Sequence, residues 1–325
     1  MRWSAQGQTK GEVSKGDASL SVLLRSLFLP SGYPESVRAD FARWLPWHLA
    51  SLLGRDILQV LSSQALLVAV SRSNATAASV VDSLGYSASL AAATQWVLKD
   101  APGSFATLAV GSRGGQAFDA DPKRWWVVTS AVEDVARLIE ILLPLHPQLF
   151  LPGAALANCL RNGALVGRQS LVNGTVLRHF GRRENLGDIR AKLEAQGRIL
   201  AILALPLGIT LFRWTQGLTT IASDQTESVS LGGFSLAFAV YASLFGFHNL
   251  SCYKAAAALS FANLNANRVK LLAQQFCGGG ALASPAEVAA LEGVYSNRKE
   301  MSRVDLGIDF KTFLGKSDLK VHQCT

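Results

Sequence analysis

Apolar positions along this chain recur with a helical period. No segment sustains the two-residue alternation of a half-buried strand, so every element the pattern predicts is a helix. The first long one is expected from Ala39 to Ser71, with Pro46 kinking or restarting it; no Asp, Glu, Lys or Arg occurs from Ile57 to Ser71. A second segment, Ser83 to Leu98, is free of full charges and rich in Ala, Ser and Gly, and it stops at Lys99-Asp100-Ala101-Pro102-Gly103. Small residues of this kind let helix backbones approach closely in lipid. Residues 103–115 read as a short helix followed by a glycine-bearing turn. Asp121 as N-cap with Pro122 at the first helical position opens the next helix, along which Glu133, Asp134, Arg137 and Glu140 are spaced to pair on one face.

Three uncharged runs follow. Ile141 to Leu160 is long enough for a bilayer span but carries Pro144, Pro147 and Pro152, and a span needs about 20 apolar residues. Ile199 to Phe212 is shorter, contains Pro206 and is closed by Arg213-Trp214, so a crossing, a buried hairpin and a re-entrant piece fit it equally. Asp188 is expected to cap the helix that leads into it, after joints at Asn173-Gly174 and at 185–188. Ser228 to Tyr253 has no charge over its whole length and is the strongest membrane signal. A weakly amphipathic helix is expected from Lys254 to about Gln275, then a linker at Cys277-Gly278-Gly279-Gly280. Ser284 and Glu287 form a capping box with Pro285 at the first helical position. The fold class is therefore all-α, a multi-helix bundle embedded in a membrane with several kinked or short spans.

Composition sharpens this picture. Hydrophobic residues make up 49% and charged residues 17% of the 325, against about 25% charged in a soluble globular chain. The formal net charge is +8, and its excess is local. Arg161, Arg168, Arg178, Arg182, Arg183, Arg190, Lys192 and Arg198 face only Glu184, Asp188 and Glu194 in the same stretch. Beside apolar runs, such a patch suits anionic headgroups or sets orientation; no helix-turn-helix or RNA-recognition pattern accompanies it, so no nucleic-acid partner is expected. Arg43, Trp44, Trp47 and His48 at a helix entrance fit a membrane-water interface, or a surface helix tucking two tryptophans into a core.

Candidate chemistry is sparse. Cys159, Cys252, Cys277 and Cys324 form no CxxC, which supports neither a disulfide framework nor a zinc site. His48, His146, His179, His248 and His322 stand apart, with no acid or cysteine in a recognised spacing. No serine elbow, Walker loop, HExxH or dinucleotide fingerprint is present. No cofactor and no metal are expected. The N-terminal 20 residues lack the apolar core of a secretory signal.

Several motifs in order carry a resemblance: FLPSGYPESV (28–37), LSSQALLVAV (61–70), WVLKDAPG (96–103), FDADPKRWW (118–126), DVARLIEILLPLHPQLFL (134–151), ENLGDIRAKLEAQ (184–196) and LNANRVKLL (264–272). With these the chain resembles the root UVB sensitive (RUS) family over about Phe28 to Gln275. The resemblance implies a helical, membrane-associated domain without established enzymatic activity. It implies links to UV-B responses in roots, seedling development, vitamin B6 homeostasis and auxin transport, a plastid address for several plant members, and a second RUS-family protein as partner. The organisation expected is a disordered tail over 1–20, a RUS-like helical domain over 21–276, and a linker, short helix and polar tail over 277–325.

The leading expectation is a non-enzymatic membrane protein acting in metabolite or hormone homeostasis, by transport or in a partner complex, with the lipid bilayer around it. One alternative is a soluble or peripheral helical module pairing with another family member. Another is a pyridoxal-phosphate enzyme using Lys99, for which the sequence supplies no phosphate cup. Candidate functional residues are the polar groups bracketing apolar helices: Lys99, Asp100, Asp121, Lys123, Asn185, Asp188 and Lys192.

Overall fold

The computed structural model describes residues 28–83, 88–220, 231–262, 264–277 and 283–294. Among them every regular element is helical, apart from one isolated antiparallel bridge between Val37 and Gly181. Helix α1 (Phe41–Ser83) is followed by α2 (Ala88–Leu98), α3 (Ala101–Ala120), α4 (Pro122–Leu142) and α5 (Phe150–Ser170). Then come α6 (Leu177–Phe180), α7 (Leu186–Thr220), α8 (Leu231–Ala258), α9 (Ala266–Cys277) and α10 (Pro285–Leu291). The expected tails over 1–20 and beyond 294, and the Cys277–Gly280 linker past its first residue, lie outside the described residues.

The helices are longer than the charge pattern suggests. Helix α1 runs through Pro46 without a break. The ring lies one turn into the helix, where it removes only one backbone bond. Helix α7 runs through both Pro206 and the Arg213-Trp214 pair; 35 residues give about 50 Å, more than a hydrocarbon core of about 30 Å, so hairpin and re-entrant readings of this run fall away. The expected glycine turn near 111–115 is helical interior in α3. The neighbouring α3–α5 contact is close, since a Cβ on Gly163 of α5 would lie 3.3 Å from Val110 of α3. The prolines after Ile141 act as expected, breaking the run into two 3₁₀ turns, Leu143–Leu145 and Pro147–Leu149. Asn173-Gly174 is not a joint. It sits in a π-helical turn, Leu171–Val176, that carries α5 into α6. Asp188 lies inside the first turn of α7 rather than at its cap, and the helix expected from Lys254 is divided between the end of α8 and α9. The capping box forms in full: Ser284 Oγ accepts from the Glu287 N–H, and the Glu287 carboxylate accepts from the Ser284 N–H at 2.7 Å.

Burial is inverted relative to a water-soluble bundle. Helix α4 is enclosed by α1, α5 and α8, and it turns Lys123, Glu133, Asp134, Arg137 and Glu140 inward while Val135 is 50% exposed. Outward faces are apolar instead: Ile202, Leu203, Leu205 and Leu207 on α7, and Leu236, Phe238, Phe247 and Leu250 on α8. Among the described residues, three helical segments are long and apolar enough to cross a membrane, Phe41–Ser73, Pro147–Phe180 and Leu186–Gln216. The main apolar core lies beside the N-terminal part of α4, where Phe41, Trp44, Trp126, Phe180 and Ile189 pack with Ala255, Leu259 and Phe261.

Close contacts fix how the helices cross. A Cβ on Gly208 of α7 would stand 2.7 Å from Val60 Cβ of α1, so the two long helices touch where glycine removes a side chain. The 28–40 segment is tied down by Asp40, whose carboxylate meets His179 Nε2 at 2.7 Å and the Ser260 N–H at 2.8 Å. Burial works to raise the Asp40 pKa, but these bonds and the imidazole outweigh it and hold the carboxyl below its ordinary 3.8.

Candidate functional site

One cavity of about 500 Å³ opens among α1, α4, α5, α7 and α8. Helical spacing builds its walls. On α1 the stripe His48, Ser51, Leu52, Arg55 and Asp56 faces it; on α7 the stripe Arg190, Leu193, Glu194, Gly197, Arg198 and Ala201 does; Leu165, Arg168 and Gln169 come from α5. Trp126 and Ser130 of α4, Leu177 of α6 and Cys252 of α8 complete it. Four arginines thus meet two carboxylates around one space. Arg55 pairs with Asp56 at 2.8 Å and Arg190 with Glu194 at 3.0 Å, while Arg198 makes no ion pair among the described residues.

The inner wall is aromatic. His48 stacks on Trp44, ring centroids 4.3 Å apart, and meets Trp126 edge-on at 5.8 Å. His48 Nδ1 and Trp126 Nε1 are buried without a hydrogen-bond partner among the described residues. An unsatisfied buried donor or acceptor costs about 1–3 kcal/mol, and both residues belong to the cavity lining.

Behind the wall runs a buried charged network. Arg168 and Arg137 both meet Glu133, at 2.9 and 3.0 Å, and Arg137 also meets Asp134 at 2.8 Å. Asp134 accepts from Asn249 at 2.6 Å and faces His248 Nδ1 at 2.7 Å. The other ring nitrogen of His248 lies 3.4 Å from Cys252 Sγ. Arg161 pairs with Glu140 further along α4. Buried charges persist when each is paired, and removing one partner costs about 3–5 kcal/mol; the spacing read on α4 is thus an internal polar axis, not a solvated face. Arg161, Arg168, Arg190 and Arg198 of the basic stretch are likewise spent on this axis and cavity.

The seven residues singled out in the sequence lie elsewhere. Lys99 and Asp100 form a 2.6 Å pair at the α2–α3 junction, with Lys99 over the Trp96 ring and Asn158 of α5 donating to the Lys99 carbonyl and the Asp100 carboxylate. Asp121 precedes α4, where it makes no side-chain cap bond. Lys123 is buried 3.1 Å from Glu292, which also holds Arg268 at 3.0 Å. Burial pushes the Lys123 pKa down, against the pull of Glu292. Asn185 donates to the Ser36 carbonyl at 3.1 Å, and Asp188 accepts from the Ser31 N–H at 2.6 Å. Lys192 is half-buried on the same helix. Each group is tied to its own neighbours, and none of the seven lines the cavity.

His48, Arg55, Arg168, His248 and Cys252 are not among those seven; the sequence places His48 at a helix entrance and Arg168 in the basic patch. The signal was present: Arg55 and Arg168 are cations set in apolar helices, and His248 stands four residues before Cys252, on one helix face.

Similarity agrees with the motif order. A family model described as the vitamin B6 photo-protection and homoeostasis domain matches residues 14–280. The protein root UVB sensitive 3 of Arabidopsis thaliana is 27% identical over 86% of this chain and 60% of its own length. RUS family member 1 of Dictyostelium discoideum is 27% identical over 86% of this chain and 49% of its own length. The chloroplastic protein root UVB sensitive 2 of Arabidopsis thaliana is 28% identical over 80% and 54%. The chain thus spans about half the length of the relatives it matches, and no solved structure matches it. With the vitamin B6 domain covering most of its length, this chain belongs to the root UVB sensitive family.

Proposed function

We propose that this chain is a membrane-embedded binding domain whose cavity holds an anionic metabolite, a phosphorylated form of vitamin B6, and that it serves homeostasis by binding and carrying that metabolite rather than transforming it. One observation carries the reading: four arginines line a cavity whose inner wall is built on the rings of His48 and Trp126. Guanidinium groups suit phosphate by charge and by their forked donors, and the aromatic wall suits a flat ring. The family's vitamin B6 description supplies the candidate metabolite. The inverted burial supports the bilayer, since apolar outward faces with charged groups inside are what hydrocarbon surroundings favour.

Binding to the purified full chain in lipid nanodiscs tests the cavity. Pyridoxal 5′-phosphate is expected to bind well above pyridoxal. Arg198→Ala should weaken it roughly tenfold or more, the loss of one charge-assisted bond of about 1.5–3 kcal/mol. Equal binding of the phosphorylated and unphosphorylated forms, or an unchanged Arg198→Ala variant, refutes the assignment. Alkaline carbonate extraction tests the membrane: retention in the pellet is expected, and release into the supernatant favours instead a module whose apolar faces are covered by another protein.

A further inference from the structure

Asp134, His248 and Cys252 form a relay that ends at the cavity. Cys252 lines the space; its sulfur lies 3.4 Å from His248 Nε2, and His248 Nδ1 lies 2.7 Å from Asp134. Asp134 cannot swing away, because Arg137 and Asn249 hold its two oxygens at 2.8 and 2.6 Å. A cysteine packed only for its volume needs no such partners. A thiol, an imidazole and a carboxylate in this order are the parts of an activated nucleophile: the carboxylate fixes the ring tautomer, the ring takes the thiol proton, and the sulfur attacks. All three side chains are buried, where the relay is shielded from water.

Resting on the cavity reading above, we propose that Cys252 captures the aldehyde carbon of a phosphorylated aromatic aldehyde held in the cavity, as a reversible hemithioacetal. The S–H proton passes to His248 as the sulfur forms a bond to the carbonyl carbon. The carbonyl π pair moves to oxygen, and that oxygen takes the proton back from His248. Nothing is oxidised or reduced and nothing leaves. The bound aldehyde is masked from amines while it is held, and release is the same sequence in reverse. Selectivity follows from the chemistry: an alcohol or amine of the same size has no carbon for the sulfur to attack.

The full chain in nanodiscs is titrated with pyridoxal 5′-phosphate and, separately, with pyridoxine 5′-phosphate, which carries an alcohol in place of the aldehyde. The wild type is expected to bind the aldehyde about tenfold or more tightly than the alcohol and to bleach the free-aldehyde absorption without an imine band. Cys252→Ser should bind both equally and leave the aldehyde band intact, a thermal melt like the wild type's showing that it folds. Equal binding of both compounds by the wild type, with the aldehyde band unbleached, overturns the capture while leaving the cavity reading standing; binding of neither overturns both.

Discussion

Glu292 lies beyond the stretch matched by the family model, yet it sits at the end of the polar axis, and its removal is the most quantitative test of the inverted architecture. Its carboxylate is buried between Lys123 Nζ at 3.1 Å and the Arg268 guanidinium at 3.0 Å, with side-chain exposures of 4, 2 and 4%. The Lys123 contact is a buried ion pair, and the charge of Glu292 is the larger part of its hold on Lys123. Glu292→Gln keeps the shape and leaves two buried cations facing a neutral amide. Stripping one partner from a buried pair costs about 3–5 kcal/mol; at about 2 °C per kcal/mol for a large domain, that is about 6–10 °C in Tm.

The sign of the pH dependence follows from Lys123. Burial already lowers its pKa from 10.5, so between the folded value and 10.5 the unfolded chain binds more protons and stability rises with pH. Without Glu292 the folded value drops further and the window widens downward. The variant's deficit should therefore be largest near neutral pH and shrink as pH rises and Lys123 sheds its proton. Thermal scans in detergent of wild type and variant, repeated across that range, measure it. A deficit under about 1 kcal/mol, or one that does not change with pH, refutes the claim that these charges are buried and coupled.

Two further predictions concern the helix crossing and the 28–40 segment. Gly208→Ala places a methyl group 2.7 Å from Val60 Cβ and should cost about 1–3 kcal/mol as α1 and α7 are pushed apart, while Gly187→Ala, with nothing within 4 Å, should be neutral or stabilising; thermal melts of the two side by side test the crossing. Because the Asp40 carboxyl is held below 3.8, its contribution is fully present above that pH and is lost as pH falls through the folded value. Asp40→Asn should accordingly lower stability at neutral pH, with the gap to wild type closing in acid; a gap that persists there refutes the role of the His179 pair.

Much of this protein was legible as one-dimensional chemistry. A helical period throughout, long uncharged runs and a capping box at Ser284 settle the all-α class and the ends of several elements, because hydrogen bonding within a helix depends on local residues. Proline effects were legible only in part: Pro144 and Pro147 divide the chain into 3₁₀ turns, but Pro46 and Pro206 are carried inside long helices whose packing outweighs one lost bond. The seven candidate residues and the cavity do not coincide. Polar residues at helix ends, such as Lys99 and Asn185, stand out in a sequence because they bracket apolar runs, yet they cap, brace and tie.

What the sequence determined by itself was the helical class, the apolar character of the helices and the family. Which way each helix faces was decided by tertiary structure alone. The charges of α4 turn inward only because Arg168 from α5 and His248 and Asn249 from α8 arrive beside Glu133 and Asp134. These partners are up to 115 residues apart along the chain, and a buried charge is tolerable only when its partner is in place. The cavity is subject to the same condition, since its arginines and its cysteine come from four helices, α1, α5, α7 and α8, and share a wall only after these have packed.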